Sequence, residues 1–537
     1  MLRAVIIAVV CGILAITGVG SVVATAPVSI DVVAPHPVPA QNAGEFVVLT
    51  FDGPTNVSGW TIEDGYNEAA FPATSLEGSV ALSHSPSLTE LLVDKPVVTL
   101  DGHLPLSVTG DRLVVRDAAG DRVTDAEYEH TPAGVRWKRS TGDTLTAVQH
   151  GATDHPPVNA TADVVTAFVL PDGAAVPRAA VASADQRLYL AGYELTDPDI
   201  TAALLSRHAA GVDVQVLVDG RPVGGQSAAE IAALDELVNA GVPVRVLTGS
   251  RDRYRFHHPK YAVIDDRVIV MTENWKRAGT GGSSSRGWGV MLDDALLAAE
   301  LATIFGTDAR WRDAISWDRY RLETSGREVN HTTRQFPTHH EPAQVPVDGA
   351  ELVVAPEAAE PRLLALIDGA SDSIHIQQVR ISGLEFPLLQ AVLAAADRGV
   401  DVTIQLDASW YVKADNRALA AAIEAEAAAA PGTVEAELVG STDRFEKIHT
   451  KGIIVDDETV VVGSMNWNNV SMRENREVLA ILHGDDVAGY YLGVFDDDWT
   501  AVDTVTPLGL LLATGLVWIG VGLVAVRHIR FAVDQGS

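Results

Sequence analysis

Two stretches of the 537-residue chain carry the same reactive set. His258, Lys260 and Asp265 stand at H-x-K-x4-D spacing, and His449, Lys451 and Asp456 repeat it. Each stretch leads into an Asn-Trp pair: Met271-Thr272-Glu273-Asn274-Trp275 and Gly463-Ser464-Met465-Asn466-Trp467. Side chains alternate along a strand, so a His and a Lys two apart share one face. An imidazole can attack an electrophile or move a proton, and ammonium groups hold anionic oxygens. Cleaving a phosphate ester needs a nucleophile, a proton donor for the leaving oxygen, and positive charge on the other oxygens, and the two stretches together contain all three. The chain has only 7 Lys against 32 Arg, yet two of those lysines fill the same slot of the repeat.

The duplicated pattern resembles the signature of the phospholipase D superfamily, in particular its phospholipase D and cardiolipin synthase branches, over roughly residues 180–500. The second copy follows the extended family motif, including Asn475-Arg476-Glu477. The first departs from it. Met271-Thr272 replaces Gly-Ser, the spacing after Asp265 is one residue shorter, and Gly289 stands where alignment expects the counterpart of Glu477. The resemblance implies one active site shared by two halves and a phosphohistidine intermediate. It assigns His258 as nucleophile and His449 as general acid, with the reverse order also open. Lys260, Lys451, Asn274, Asn466 and the hydroxyls of Thr272 and Ser464 are expected on the non-bridging oxygens, with Glu477 in the same substrate-binding set. Asp265 and Asp456 are expected to organise the site behind the histidines. Cationic clamps take the place of a metal, so no cofactor is expected.

The elements that must position these residues repeat as well. Leu188-Tyr189-Leu190 precedes a helical stretch and Gly211-Val212 through Asp219, and Ile374-His375-Ile376 precedes the matching Gly399-Val400 through Asp407. Strand, helix, glycine and apolar strand read as a βαβ unit with a right-handed crossover. The fold expected is a two-lobed α/β/α catalytic domain, with half 1 over 165–325 and half 2 over 350–500. Ahead of it, residues 45–145 show short β-branched runs broken by turn residues, the pattern of an antiparallel sandwich. The order Glu45-Phe46-Val47-Val48, Ser58-Gly59-Trp60, Gly110-Asp111-Arg112 and Trp137 resembles the lamin-tail domain, which implies an immunoglobulin-like β-sandwich used for docking. Residues 150–165 read as a linker.

Composition narrows the class. With 71 acidic residues against 39 Lys plus Arg, the net charge is −32, which argues against coating nucleic acid by bulk charge. Cys11 is the only cysteine, so disulfides and cysteine zinc sites are excluded. An acidic, lysine-poor surface is a means of staying soluble in concentrated salt, and an extreme halophile is the expected source. Residues 1–26 read as a signal peptide or anchor. Residues 506–526 carry no charge and are followed by Arg527, His528 and Arg530, which predicts a C-terminal transmembrane helix with the catalytic domain outside the cell. The function expected is a membrane-anchored phospholipase D-type phosphodiesterase acting on phospholipid. Two alternatives are a cell-surface nuclease cleaving DNA, with Arg251, Arg253, Arg255 and Phe256 along its groove, and a non-catalytic phosphate-binding docking protein. Substrate choice is expected in the loops Gly279–Gly287 and Trp410–Ala414.

Overall fold

A computed structural model describes residues 28–37, 44–132, 134–140, 144–149, 151–160, 162–248, 253–329 and 334–503. The expected signal segment 1–26 and transmembrane segment 506–526 lie outside these residues. Among the described residues no helix is long and apolar enough to cross a membrane. The chain divides into two units at Ala147/Val148.

The first unit contains two sheets that share one apolar core. One sheet runs in the order Leu145–Gln149, Val135–Arg139, Val28–Ala34, Phe46–Asn56, Ser75–Ser83, Val97–Thr99. The other is Asp101–Gly102, Glu68–Ala70, Thr61–Glu63, Asp111–Arg116, Arg122–Tyr128. Alternating residues from both faces, including Ile30, Leu49, Phe51, Ile62, Leu113 and Val115, bury together around Trp60. This is the period-two burial of a sandwich. Strand Val28–Ala34 sits in the middle of the larger sheet, although it precedes residue 45, where the sequence reading begins the unit. Its short apolar run between prolines merges with the N-terminal segment and gives no separate signal.

In the second unit each half is built on a mixed sheet. Half 1 places Arg187–Gly192, Asp213–Asp219 and Val244–Leu247 in parallel, then continues antiparallel through Tyr261–Ile264, Arg267–Met271, Ser285–Asp293 and Val164–Leu170. Half 2 repeats the plan with Ser373–Gln378, Asp401–Asp407 and Val434–Val439 in parallel, then Lys451–Val455, Thr459–Gly463, Glu477–His483 and Gly349–Ala355. The helices start where capping chemistry permits: Asp197 and Asp294 accept backbone N–H groups of the first turns of Pro198–Ala209 and Ala295–Arg310. Part of the expected linker is structured, since Val158–Ala160 pairs with Gly349–Ala355 at the edge of the second sheet.

One core lies between the halves. Val263, Val268, Val270, Trp288 and Val290 of half 1 pack with Ile454, Val460, Val462, Val478 and Ala480 of half 2. Gly452 permits this approach, because a Cβ there would lie 2.3 Å from the Trp288 ring. The face that buries these side chains also brings the two reactive stretches together.

Candidate active site

Each reactive stretch is held by the opposite half. The His258 N–H donates to the Arg476 carbonyl (3.0 Å), and the His449 N–H donates to the Arg286 carbonyl (2.8 Å). Ser285-Arg286 and Lys447-Ile448 run as a short parallel pair across the boundary. The two arginines are fully buried and clamped by carboxylates of both halves. Arg286 Nε donates to Asp498 (2.9 Å) and its Nη1 to Asp172 (2.6 Å), while Arg476 Nε donates to Asp308 (2.9 Å) and its Nη1 to Glu357 (2.8 Å). The strand ends supply a further support. Asp219 accepts the His257 N–H (2.6 Å) and Asp407 accepts the Ile448 N–H (3.1 Å), so the residue before each reactive histidine hangs on a buried aspartate.

Each imidazole also meets a carboxylate from the other half. His258 Nδ1 lies 3.0 and 2.9 Å from the two oxygens of Glu477, and Asn475 Nδ2 donates to Glu477 Oε1 (2.9 Å). His449 Nδ1 lies 3.1 Å from Glu273 Oε2. The repeat gives no signal for Glu273, because the second copy has Met465 in its place. The registers show what happened. Met271 pairs with Gly289 and Gly463 with Leu479, so the true counterpart of Glu477 is Gly287, two residues before the glycine suggested by alignment. A Cβ on Gly287 would sit 2.3 Å from Cγ of Glu273, and the missing side chain leaves the space that Glu273 fills.

Four of the seven lysines surround these pairs. Lys260 Nζ donates to the His258 carbonyl, and Lys451 Nζ donates to the His449 carbonyl (2.6 Å). Lys276 bridges to Glu194 (2.6 Å), and Lys447 stands 5.9 Å from the Tyr411 ring centroid. Asn274 Nδ2 lies 3.4 Å from Glu194, its Oδ1 is buried without a hydrogen-bond partner, and Asn466 is half-buried at the matching position. Burial lowers Lys260 to about 7 despite Glu477 and Glu273. Burial and then Lys260 bring Lys451 well below the usual lysine range. His258 falls to about 4, through burial that Glu477 only partly offsets. His449 is depressed by burial and by Lys451, Lys447, Lys276 and Lys260. Burial lifts Glu273 to about 7 against the same four lysines. Burial also opposes ionisation of Glu477, but His258, Lys260 and Asn475 leave it below the usual carboxylate range. The pocket thus gathers positive groups that ionise fully only beside an anion.

Other expected site residues stand elsewhere. Asp265 and Asp456 do not lie behind the histidines. Asp265 accepts the N–H groups of Asp185, Gln186 and Arg187, and Asp456 accepts those of Ser371, Asp372 and Ser373. Both have positive φ (54° and 53°) in the turns of hairpins, where Asp is tolerated. A strand rises about 3.3 Å per residue, so an Asp seven residues past a His lies on the order of 20 Å along the chain. The one-residue difference in spacing is a two-residue turn in half 1 against a three-residue turn in half 2. The hydroxyls of Thr272 and Ser464 accept the N–H groups of Trp288 (3.0 Å) and Val478 (3.1 Å), so they tie neighbouring strands. Arg253 is buried against Asp313 (3.0 Å) and does not line a groove, Arg255 pairs with Glu474 on the surface, and Arg251 lies outside the described residues. Among the described residues, no group of three or more His, Cys, Asp or Glu could hold a metal ion.

The family described as "Cardiolipin synthase, PLD-like domain" matches residues 178–311 and 363–499, together half of the chain. No curated protein matches it. Among solved structures, the phosphatidylserine synthase of Haemophilus influenzae Rd KW20 is 14% identical, aligned over 65% of this chain and 88% of its own, with a TM-score of 0.49. Nuc of Salmonella typhimurium, a phospholipase D family member, is 24% identical over 30% of this chain and 99% of its own, with a TM-score of 0.26. NucT from Helicobacter pylori is 21% identical over 28% and 96%, with a TM-score of 0.25.

Proposed function

The chain belongs to the cardiolipin synthase-type, phospholipase D-like family and is a phosphodiesterase or phosphatidyltransferase of that superfamily, and on that premise we propose that it cleaves phospholipid at a membrane surface through a phosphohistidine. The observation that carries this reading is reciprocal: each reactive imidazole lies beside a carboxylate of the opposite half, within one cluster of ammonium groups.

The asymmetry of the two pairs supports His258 as nucleophile and His449 as general acid. Glu477 is ionised and contacts His258 Nδ1 with both oxygens, which fixes the proton on Nδ1 and leaves the Nε2 lone pair free. His258 Nε2 attacks phosphorus, and the bond to the leaving oxygen breaks. Glu273, lifted to about 7, is partly protonated near neutrality and stands 3.1 Å from His449 Nδ1, and His449 passes its Nε2 proton to the leaving alcohol as Nδ1 takes up the proton of Glu273. Water or an acceptor alcohol then returns a proton to His449 and attacks phosphorus, which breaks the N–P bond and frees His258. Lys260, Lys451, Asn274 and Asn466 neutralise and orient the phosphate oxygens.

Phospholipid is favoured over DNA by the net charge of −32 and by the uncharged stretch 506–526, which would tether the enzyme at a bilayer and raise its effective concentration there. In this reading the N-terminal sandwich is the immunoglobulin-like, lamin-tail-like docking unit, and the acidic surface suits molar salt. The full-length chain, in molar KCl with EDTA, is incubated with labelled phospholipid and with plasmid DNA. Headgroup release that disappears in His258→Ala and in His449→Ala supports the reading. Plasmid nicking without lipid cleavage replaces it with the nuclease, and neither activity with the docking protein.

A further inference from the structure

Three large apolar side chains of the second unit are exposed around the candidate site. Trp410 is 90% exposed, Val223 73% and Tyr411 47%. Val223 and Tyr411 occupy the same place in the repeat, each four residues after the buried aspartate that holds a reactive stretch, Asp219 or Asp407. Both reach the site through one neighbour. The Val223 N–H donates to Tyr193 Oη (2.5 Å), and the Tyr193 ring lies edge-on to His258 at 4.8 Å. Tyr411 covers Lys447, whose charge acts on His449 and Glu273, and Trp410 stands edge-on to Tyr411 at 5.8 Å.

We propose that Val223, Trp410 and Tyr411 form an apolar rim, contributed by both halves, that seats the mouth of the site on a phospholipid bilayer. This rests on the phospholipid reading above. Single exposed apolar side chains are common, but an exposed aromatic pair and an exposed aliphatic side chain at matching positions flanking one site mark an interaction surface. Indole and phenol rings settle at the boundary between headgroups and acyl chains. A rim at that depth places the lysine cluster between its two sides at the level of the phosphates, so positive charge meets the anionic layer. The sequence agrees: the uncharged stretch 506–526 begins three residues after Asp503 and, as the tether proposed above, would hold the domain beside a membrane. A protein partner or a stacked nucleobase could also cover the aromatic pair, but neither accounts for aliphatic Val223 at the matching position of the other half.

The test compares two lipid substrates on the full-length chain. Val223→Ser and a Trp410→Ser/Tyr411→Ser double variant should lower cleavage of long-chain phosphatidylglycerol in vesicles about tenfold or more, and leave cleavage of dispersed dibutyryl phosphatidylglycerol within about twofold. Equal loss on both substrates, or no loss on either, overturns the rim, and selective loss of plasmid nicking makes it a base-stacking platform. A second measurement does not depend on turnover. In a Cys11→Ser background, a fluorophore at Trp410→Cys should be quenched by spin-labelled lipid in proteoliposomes at least twice as strongly as one at Leu296→Cys, beyond the far end of strand Ser285–Asp293. Equal quenching overturns the rim. Strong quenching at position 410 without cleavage of either lipid keeps the rim and removes the phospholipid-cleaving reading.

Discussion

Gly287 and Glu273 occupy one another's space: a Cβ on the glycine would lie 2.3 Å from Cγ of the glutamate. The carboxylate beside His449 therefore comes from the bend after strand Arg267–Met271, whereas Glu477, beside His258, opens strand Glu477–His483. A carboxylate thus stands beside each imidazole, but from non-equivalent positions of the repeat. The exchange is testable by moving it back. Glu273→Met should lower kcat by about a hundredfold, in the range of a lost acid–base partner, with little change in KM. Adding Gly287→Glu to Glu273→Met restores the arrangement of the second half and should recover at least a tenth of the lost rate. A double variant no better than Glu273→Met contradicts the exchange.

Lys260 makes anion binding depend on pH. Its pKa is about 7 in the folded chain, against about 10.5 in the unfolded one. Above about 7 the ammonium discharges, so affinity for inorganic phosphate or tungstate should weaken by roughly tenfold between pH 7 and pH 9, and binding near pH 7.5 should take up protons. Calorimetry in buffers of different ionisation enthalpy reads both. The sign for stability is opposite. Between those two values the unfolded chain holds the extra proton, so ligand-free stability rises with pH across the window.

His258 and His449 should fail differently. A nitrophenyl leaving group needs no protonation, so His449→Ala should retain at least about a hundredfold more of its activity on a nitrophenyl phosphodiester than on an alkyl one. His258→Ala should lose both alike. Equal losses from His449→Ala on the two substrates contradict its role as general acid.

Arg286 and Arg476 each tie carboxylates of both halves in a fully buried clamp. Removing the cation strands two buried acids in each case. Arg476→Met should therefore cost about 3–5 kcal/mol in denaturant unfolding of the second unit, and Arg286→Met a similar amount. A change below about 1 kcal/mol in either contradicts the clamp.

How far the chemistry was legible depended on how local its signal was. His258 and Lys260, and His449 and Lys451, announce themselves because two residues on one strand face repeat in order. Glu477 follows from its motif. Glu273 could not be read the same way, since its partner Gly287 is defined by a strand register and alignment pointed instead to Gly289. Asp219 and Asp407 were visible only as the last residues of apolar strands; that they hold the residue before each histidine is a long-range contact. Asp265 and Asp456 belong to the motif by spacing, but strand rise carries them to the far turns. The parallel strands were legible from their repeated apolar runs, whereas Val28–Ala34 adjoins the apolar N-terminal run and Val158–Ala160 is too short to carry a period.

The central claim is that histidines of the two halves act on one phosphorus atom, His258 by bonding to it. The direct measurement is mass spectrometry of peptides from alkali-quenched His449→Ala enzyme, incubated with a nitrophenyl phosphodiester. The account predicts a phosphoryl adduct on the peptide bearing His258, absent in His258→Ala. Turnover that depends on His258 but shows no N–P-linked adduct on either histidine peptide would contradict it.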